Sequence, residues 1–145
     1  MVKLDDLSWH VGCSEFPYGV PEENGAVNIG FFTAWAISKG LWGNSIPSDS
    51  ADFVEAVRRR RLSGARFVIE HCDGKLFSGM LTAEGAAFAQ SYYNRHYLRD
   101  YRALLVQGAV SDYAVEDTWA NYDRMATRIS ERHHTWRNKP WWKFW

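Results

Sequence analysis

Cysteine is scarce in this sequence. Cys13 and Cys72 are the two in 145 residues, far apart and with no C-x-x-C spacing, which excludes a disulfide framework and the thiolate zinc motifs. They read as free thiols of a reducing cytoplasm, the compartment expected for the chain. Net charge is missing as well: 17 Lys and Arg balance 17 Asp and Glu. A nucleic-acid-binding domain is usually basic, because phosphate neutralisation dominates its affinity, so nucleic acid is an unlikely partner. No apolar run reaches the roughly 20 residues of a membrane span, and the opening MVKLDDLSWH has no apolar h-region of a signal peptide. Phosphate-cradling glycine loops, nucleophile elbows and zinc patterns are absent, so no cofactor, metal or catalytic constellation is expected. No repeat or composition shift divides the chain, which has the length of one domain.

Aromatic residues are abundant, at 16% with eight tryptophans. They serve a core, and they are also favoured anchors at protein interfaces. The stretch 24–40, NGAVNIGFFTAWAISKG, is apolar nearly all round between Ala26 and Ile37. That pattern predicts a fully buried helix, ended by Gly40 in a left-handed cap, on which the rest of the chain packs. Four more helices follow from periodicity: 50–62, capped by Ser48 or Asp49; 65–72; 83–107, with Ala89, Tyr93, Tyr97, Tyr101 and Leu105 stacked at i, i+4; and 118–137, capped by Asp117. The segment 109–116 reads as a linker with a helical turn at 111–114. Residues 1–23 read as an extended or looped segment with a short strand at 9–11. The expected fold is all-α, a single-domain bundle of about five helices around a buried central helix, with an extended N-terminal loop and an aromatic tail over 138–145 that folds back over an apolar groove.

The opening segment concentrates reactive side chains: Asp5, Asp6, Ser8, Trp9, His10, Cys13 and Glu15. Two carboxylates and a histidine within six residues can hold a metal or move protons. Adjacent Asp5 and Asp6 point in different directions in an extended chain, however, and capping of turns accounts for such residues equally well. The arginines of 58–61 read as a solvated helix face. Neighbouring His133 and His134 diverge by about 100° on a helix, and His133 falls on the buried seam. Asn28 is the polar side chain of the most apolar helix, and the opening loop with Asp6 and His10 is the place to seek its hydrogen-bond partner.

Four stretches carry a family likeness: LDDLSWHVGCSEFP, GAVNIGFFTAWAI, EGAAFAQSYYNRHYLRDY and VEDTWANYDRMATRISERHHTWR. In that order they resemble a family of small bacterial helical proteins of unknown function. That family shows a DDxSWHYGGDFP-like opening, a THIGMFLAWAI-like helix, an FAQxYY helix and a final W-x-x-Y-D helix. The likeness covers Leu4 to Arg137. This sequence departs from it after His10 and at Asn28, where a histidine is common. In size and composition such proteins are similar to the immunity proteins that neutralise toxins delivered between bacteria. With single-domain size, aromatic excess, mixed charge and no catalytic constellation, this points to a non-enzymatic protein that covers a cognate toxin's active site; the opening loop, the turn around Trp42 and the carboxylates supply the expected contact residues Asp5, Asp6, Trp9, His10, Glu15, Glu22, Glu23 and Trp42. An alternative is a small enzyme or ligand-binding domain using Asp6, His10 and Asn28 between the opening loop and the central helix. Nucleic-acid binding through Arg58 to Arg61 and the tyrosine ridge is a third.

Overall fold

The all-round apolar helix forms as expected, and helices from the middle and the end of the chain pack around it. In the computed structural model, which describes residues 1–43, 50–108 and 111–140, a 3₁₀ turn (Glu22–Ala26) leads into α2 (Val27–Ser38), and every side chain from Val27 to Ile37 is buried. Gly40, at φ 72°, ends the helix in the left-handed region. Around α2 pack α3 (Ala51–Arg58), α4 (Gly64–His71) and α7 (Trp119–Asn138). The α2–α4 contact is the closest. A Cβ on Gly30 would lie 2.2 Å from the Ala65 nitrogen, and one on Gly64 would lie 1.9 Å from the Gly30 carbonyl oxygen. Two glycines facing each other let the backbones touch.

The second long helix is not continuous α-helix. It runs as α5 (Ala83–Tyr92), a π-helical turn (Tyr93–Tyr97) and α6 (Leu98–Leu105). Tyr92, Tyr93, Tyr97 and Tyr101 are all buried, packing ring to ring and against Phe31, Phe32 and Phe88. The stacking of nucleic-acid bases on this ridge is thereby overturned: its faces are already occupied by the core.

Several local expectations are corrected. The opening segment is not extended throughout. β1 (Lys3–Asp6) pairs antiparallel with β2 (Lys75–Phe77), and residues 9–11 lie in a short helix, α1 (Leu7–Val11), where a strand was expected. The cause is local: Asp6 accepts from the Ser8 backbone N–H at 2.9 Å and the Ser8 hydroxyl at 2.8 Å, an N-cap that starts a helix. Strands of four and three residues carry too little alternation to be read from sequence. Thr118, not Asp117, caps α7, accepting from the Asn121 N–H. Ser63 caps α4 in the same way. The turn expected at 111–114 is a 3₁₀ turn (Asp112–Ala114). The proposed Ser48 or Asp49 cap and residues 141–145 of the aromatic tail lie outside the described residues. The protein is therefore mostly helical, with a small two-stranded sheet. Among the described residues, no helix is long and apolar enough to cross a membrane.

The arginines of 58–61 are a decorated surface. Arg58 and Arg59 pair with Glu55, while Arg60 pairs with Asp123 and lies over the Trp119 and Tyr122 rings. Exposed pairs of this kind contribute about 0–1 kcal/mol each. A buried charge cluster is of another order. Asp100, 2% exposed, accepts two bonds from Arg132 at 2.9 Å, one from Arg128 at 3.3 Å and the Tyr92 hydroxyl at 2.8 Å. Burial pushes its carboxyl up, but the two guanidiniums and the phenol outweigh that and hold it below the usual range. This cluster ties α6 to α7.

Candidate functional site

The residues singled out in the opening segment converge, in a different arrangement from the one expected. A register shift between Lys3 and Asp5 breaks the alternation of β1, so Leu4, Asp5 and Asp6 are buried in succession. The two carboxylates then diverge. Asp6 caps α1 and takes the Lys3 ammonium at 3.0 Å. Burial raises its pKa, yet the Lys3 and Ser8 bonds prevail and bring it down to about 2. Asp5, not Asp6, meets His10. Its Oδ1 lies 2.7 Å from His10 Nε2 and accepts the Asp6 backbone N–H at 2.8 Å, while its Oδ2 accepts the Tyr93 hydroxyl at 2.5 Å.

The other imidazole nitrogen reaches across the fold. His10 Nδ1 is 2.8 Å from the Tyr113 hydroxyl, and the same hydroxyl is 3.8 Å from Cys13 Sγ. An ionised carboxylate only accepts, so Nε2 carries the proton toward Asp5; in the neutral ring Nδ1 then accepts from Tyr113. The chain of contacts runs Tyr93, Asp5, His10, Tyr113, Cys13. Burial and then the Cys13 contact raise the Tyr113 pKa, and burial and Asp5 do the same for Tyr93. Phe16 packs against Tyr113 with the ring centres 4.8 Å apart and the planes tilted by 39°, and the Asn24 amide donates to the Tyr113 carbonyl at 3.0 Å. Together these contacts fasten α1, the following loop and the Glu22–Ala26 turn to the Asp112–Ala114 turn.

The pocket expected from Asp6, His10 and Asn28 is not assembled. Asp6 caps backbone and binds Lys3. Asn28 is buried, its side-chain oxygen has no partner among the described residues, and its carbonyl accepts from Tyr97. A groove of about 480 Å³ does run beside α1, lined by Asp6, Leu7, Ser8, Val11, Glu22 and Ile69 with the 73–75 turn. A larger groove, about 990 Å³, lies elsewhere, where α3 and α7 meet the end of α2, and none of the expected contact residues lines it. Among the described residues, no group of three or more His, Cys, Asp or Glu is placed to hold a metal ion.

The expected contact residues fall into two sets. Trp9 is 53% exposed, with the Lys3 ammonium over its ring, and Glu15, Glu22 and Glu23 are exposed; none of these three carboxylates forms an ion pair among the described residues. Tyr18, which the sequence did not single out as a contact, is fully exposed on the same segment. Trp42, by contrast, is 7% exposed. It bridges to Leu81 and packs edge-on to Phe67. Trp42, Asp5 and Asp6 thus lie inside the fold rather than on the exposed surface expected of contact residues. Tyr93 and Tyr113 were missed as members of the site. Nothing in the sequence near Tyr113 pointed to His10, 103 positions away.

A family model described as a domain of unknown function (DUF7832) matches residues 3–115. No curated protein and no solved structure matches the chain.

Proposed function

The chain belongs to that domain family of unknown function, and we propose that it is a non-enzymatic protein-binding protein, in a bacterial cytoplasm an immunity protein that covers the active site of a cognate toxin. One observation carries this reading: an exposed tryptophan and three carboxylates that form no ion pair among the described residues sit on a segment that internal hydrogen bonds hold in place. Trp9 is the residue before His10, and His10 is bonded at both ring nitrogens. A side chain presented from an immobilised turn loses little conformational entropy on binding, which is where affinity is commonly lost. A large, rigid, half-exposed indole is the usual form of an interface hot spot. Glu15, Glu22 and Glu23 give the surface its sign. Unpaired carboxylates favour a basic partner, such as the cleft of an enzyme that acts on nucleic acid, and they steer its approach.

In the alternative reading, that of a small enzyme or ligand-binding domain, Asp5 takes the place given to Asp6. Its support is the Asp5–His10 pair itself, the geometry of a base with its orienting carboxylate. Binding is favoured because both ring nitrogens and both Asp5 oxygens are engaged within the protein.

The test is direct. The protein encoded by the neighbouring gene is purified, and its binding and inhibition by this chain are measured. A one-to-one complex that abolishes the partner's activity, weakened by Trp9→Ala and by Glu22→Lys with Glu23→Lys, supports the reading. Full partner activity at saturating concentrations of this chain would falsify it.

A further inference from the structure

The groove beside α1 joins apolar walls to an unbalanced charge. Its parts are tied together: the Leu7 N–H donates to the Gly74 carbonyl at 2.7 Å, and the Gly74 N–H donates to the Val68 carbonyl at 2.9 Å. Half-buried Leu7 and Val11, four residues apart on α1, and Ile69 of α4 give it apolar walls. Three carboxylates line it against one ammonium, Lys75, which pairs with Asp73. Lys3 pairs with Asp6. That leaves Glu22, exposed and without an ion pair among the described residues, as a charge with no counter-ion. Asp6, only 5% exposed, also keeps acceptor capacity. Ser8 donates twice to its Oδ1 and Lys3 once to its Oδ2, whereas a carboxylate offers about four acceptor positions. The larger groove at the end of α2 has no such sign, because Arg58 and Arg60 there already pair with Glu55 and Asp123.

We propose that this groove is the docking site for one long basic side chain, arginine or lysine, of the protein partner, an inference that rests on the binding role proposed above. The methylene stem lies along Leu7, Val11 and Ile69, since long basic side chains cover apolar surface while their heads stay in polar surroundings. The charged head takes the remaining acceptor position of Asp6 and neutralises Glu22. Asp6 is ready for it, because its carboxyl is held down at about 2 and is ionised at neutral pH. A volume of about 480 Å³ lies within the range of roughly 300–1,000 Å³ that takes small ligands, which suits a side chain rather than a folded segment. Trp9 belongs to the same short helix as Leu7 and Val11, so a partner that rests on the exposed indole brings its neighbouring side chains to this groove.

The experiment titrates the isotope-labelled full chain with the methylamides of Nα-acetyl-arginine and Nα-acetyl-lysine, and with the citrulline analogue, which has the shape of the arginine probe and no charge. The expected result is saturable amide shifts over residues 6–11, 69 and 73–75, with the citrulline analogue binding about tenfold more weakly. Glu22→Gln combined with Asp73→Asn, a change that the left-handed φ of 54° at that position accepts, weakens the basic probes about tenfold. Glu23→Gln, a neighbouring carboxylate outside the groove, leaves them unchanged. No saturable shifts, equal binding of the citrulline analogue, shifts centred on another part of the fold, or an equal loss from Glu23→Gln overturns the proposal. The double variant is then measured against the neighbouring-gene protein, where a loss of about tenfold is expected. A complex that the double variant leaves at full strength sinks the groove alone. No complex with the wild-type chain sinks the binding role, and with it the partner assigned to this groove.

Discussion

Two buried carboxylates in this protein are each held by a tyrosine, and they do different work. Asp100 takes the Tyr92 hydroxyl and two arginines; Asp5 takes the Tyr93 hydroxyl and a histidine. The tyrosines are consecutive, and the π-helical turn that begins at Tyr93 sends one toward α7 and the other toward the sheet. Asp100 is closed on itself: its partners are permanent cations, and the cluster fastens two helices. Asp5 is open-ended. Its partner is a histidine bonded at both ring nitrogens, and beyond it lie Tyr113, a thiol and the surface. A buried acid matched by arginine is structural cement, whereas one matched by histidine passes its influence outward.

The comparison can be broken by removing each acid in turn. Asp100→Ala leaves two guanidiniums facing a buried gap and should cost about 3–5 kcal/mol, read as a lowered denaturation midpoint. It should also weaken the acid limb of stability, since a depressed carboxyl contributes above its unfolded pKa and loses that contribution as pH falls. Asp5→Asn should cost less, about 1–3 kcal/mol, because its partners are an imidazole, a phenol and a backbone amide rather than two guanidiniums. Unlike the Asp100 change, it should loosen α1, seen as faster amide exchange over residues 7–13. Equal costs with no local loosening would erase the distinction.

Asp6 gives a smaller effect. With its carboxyl held down at about 2, it contributes about 1–2 kcal/mol near neutrality, fully present above pH 4 and lost as pH falls through 2. Lys3→Met should flatten that part of the acid titration, and an unchanged titration would show that Ser8 alone holds the group.

The buried α2 was legible because its apolar pattern has no polar face, and the tyrosine ridge because its spacing repeats every four residues. The opening segment was legible as a place but not as an arrangement. Asp5 and Asp6 are indistinguishable by type; only a shift in strand register turns Asp5 toward His10. Tyr113 joins through a contact between distant parts of the chain that no local pattern encodes. Trp9 and Trp42 are alike in sequence, yet one stands on a short exposed helix and the other is bridged to Leu81. Burial of a single tryptophan depends on neighbours brought in from elsewhere.

The smallest expected effect on stability belongs to the residue expected to matter most for binding. Trp9→Ala should move the denaturation midpoint by no more than about 0.5 kcal/mol, since the ring is half in solvent. The measurement that bears most directly on the central claim is the affinity of Trp9→Ala for the neighbouring-gene protein by titration calorimetry. The held-surface account predicts at least a tenfold loss, about 1.4 kcal/mol, with folding unchanged. Wild-type affinity in this variant would contradict it.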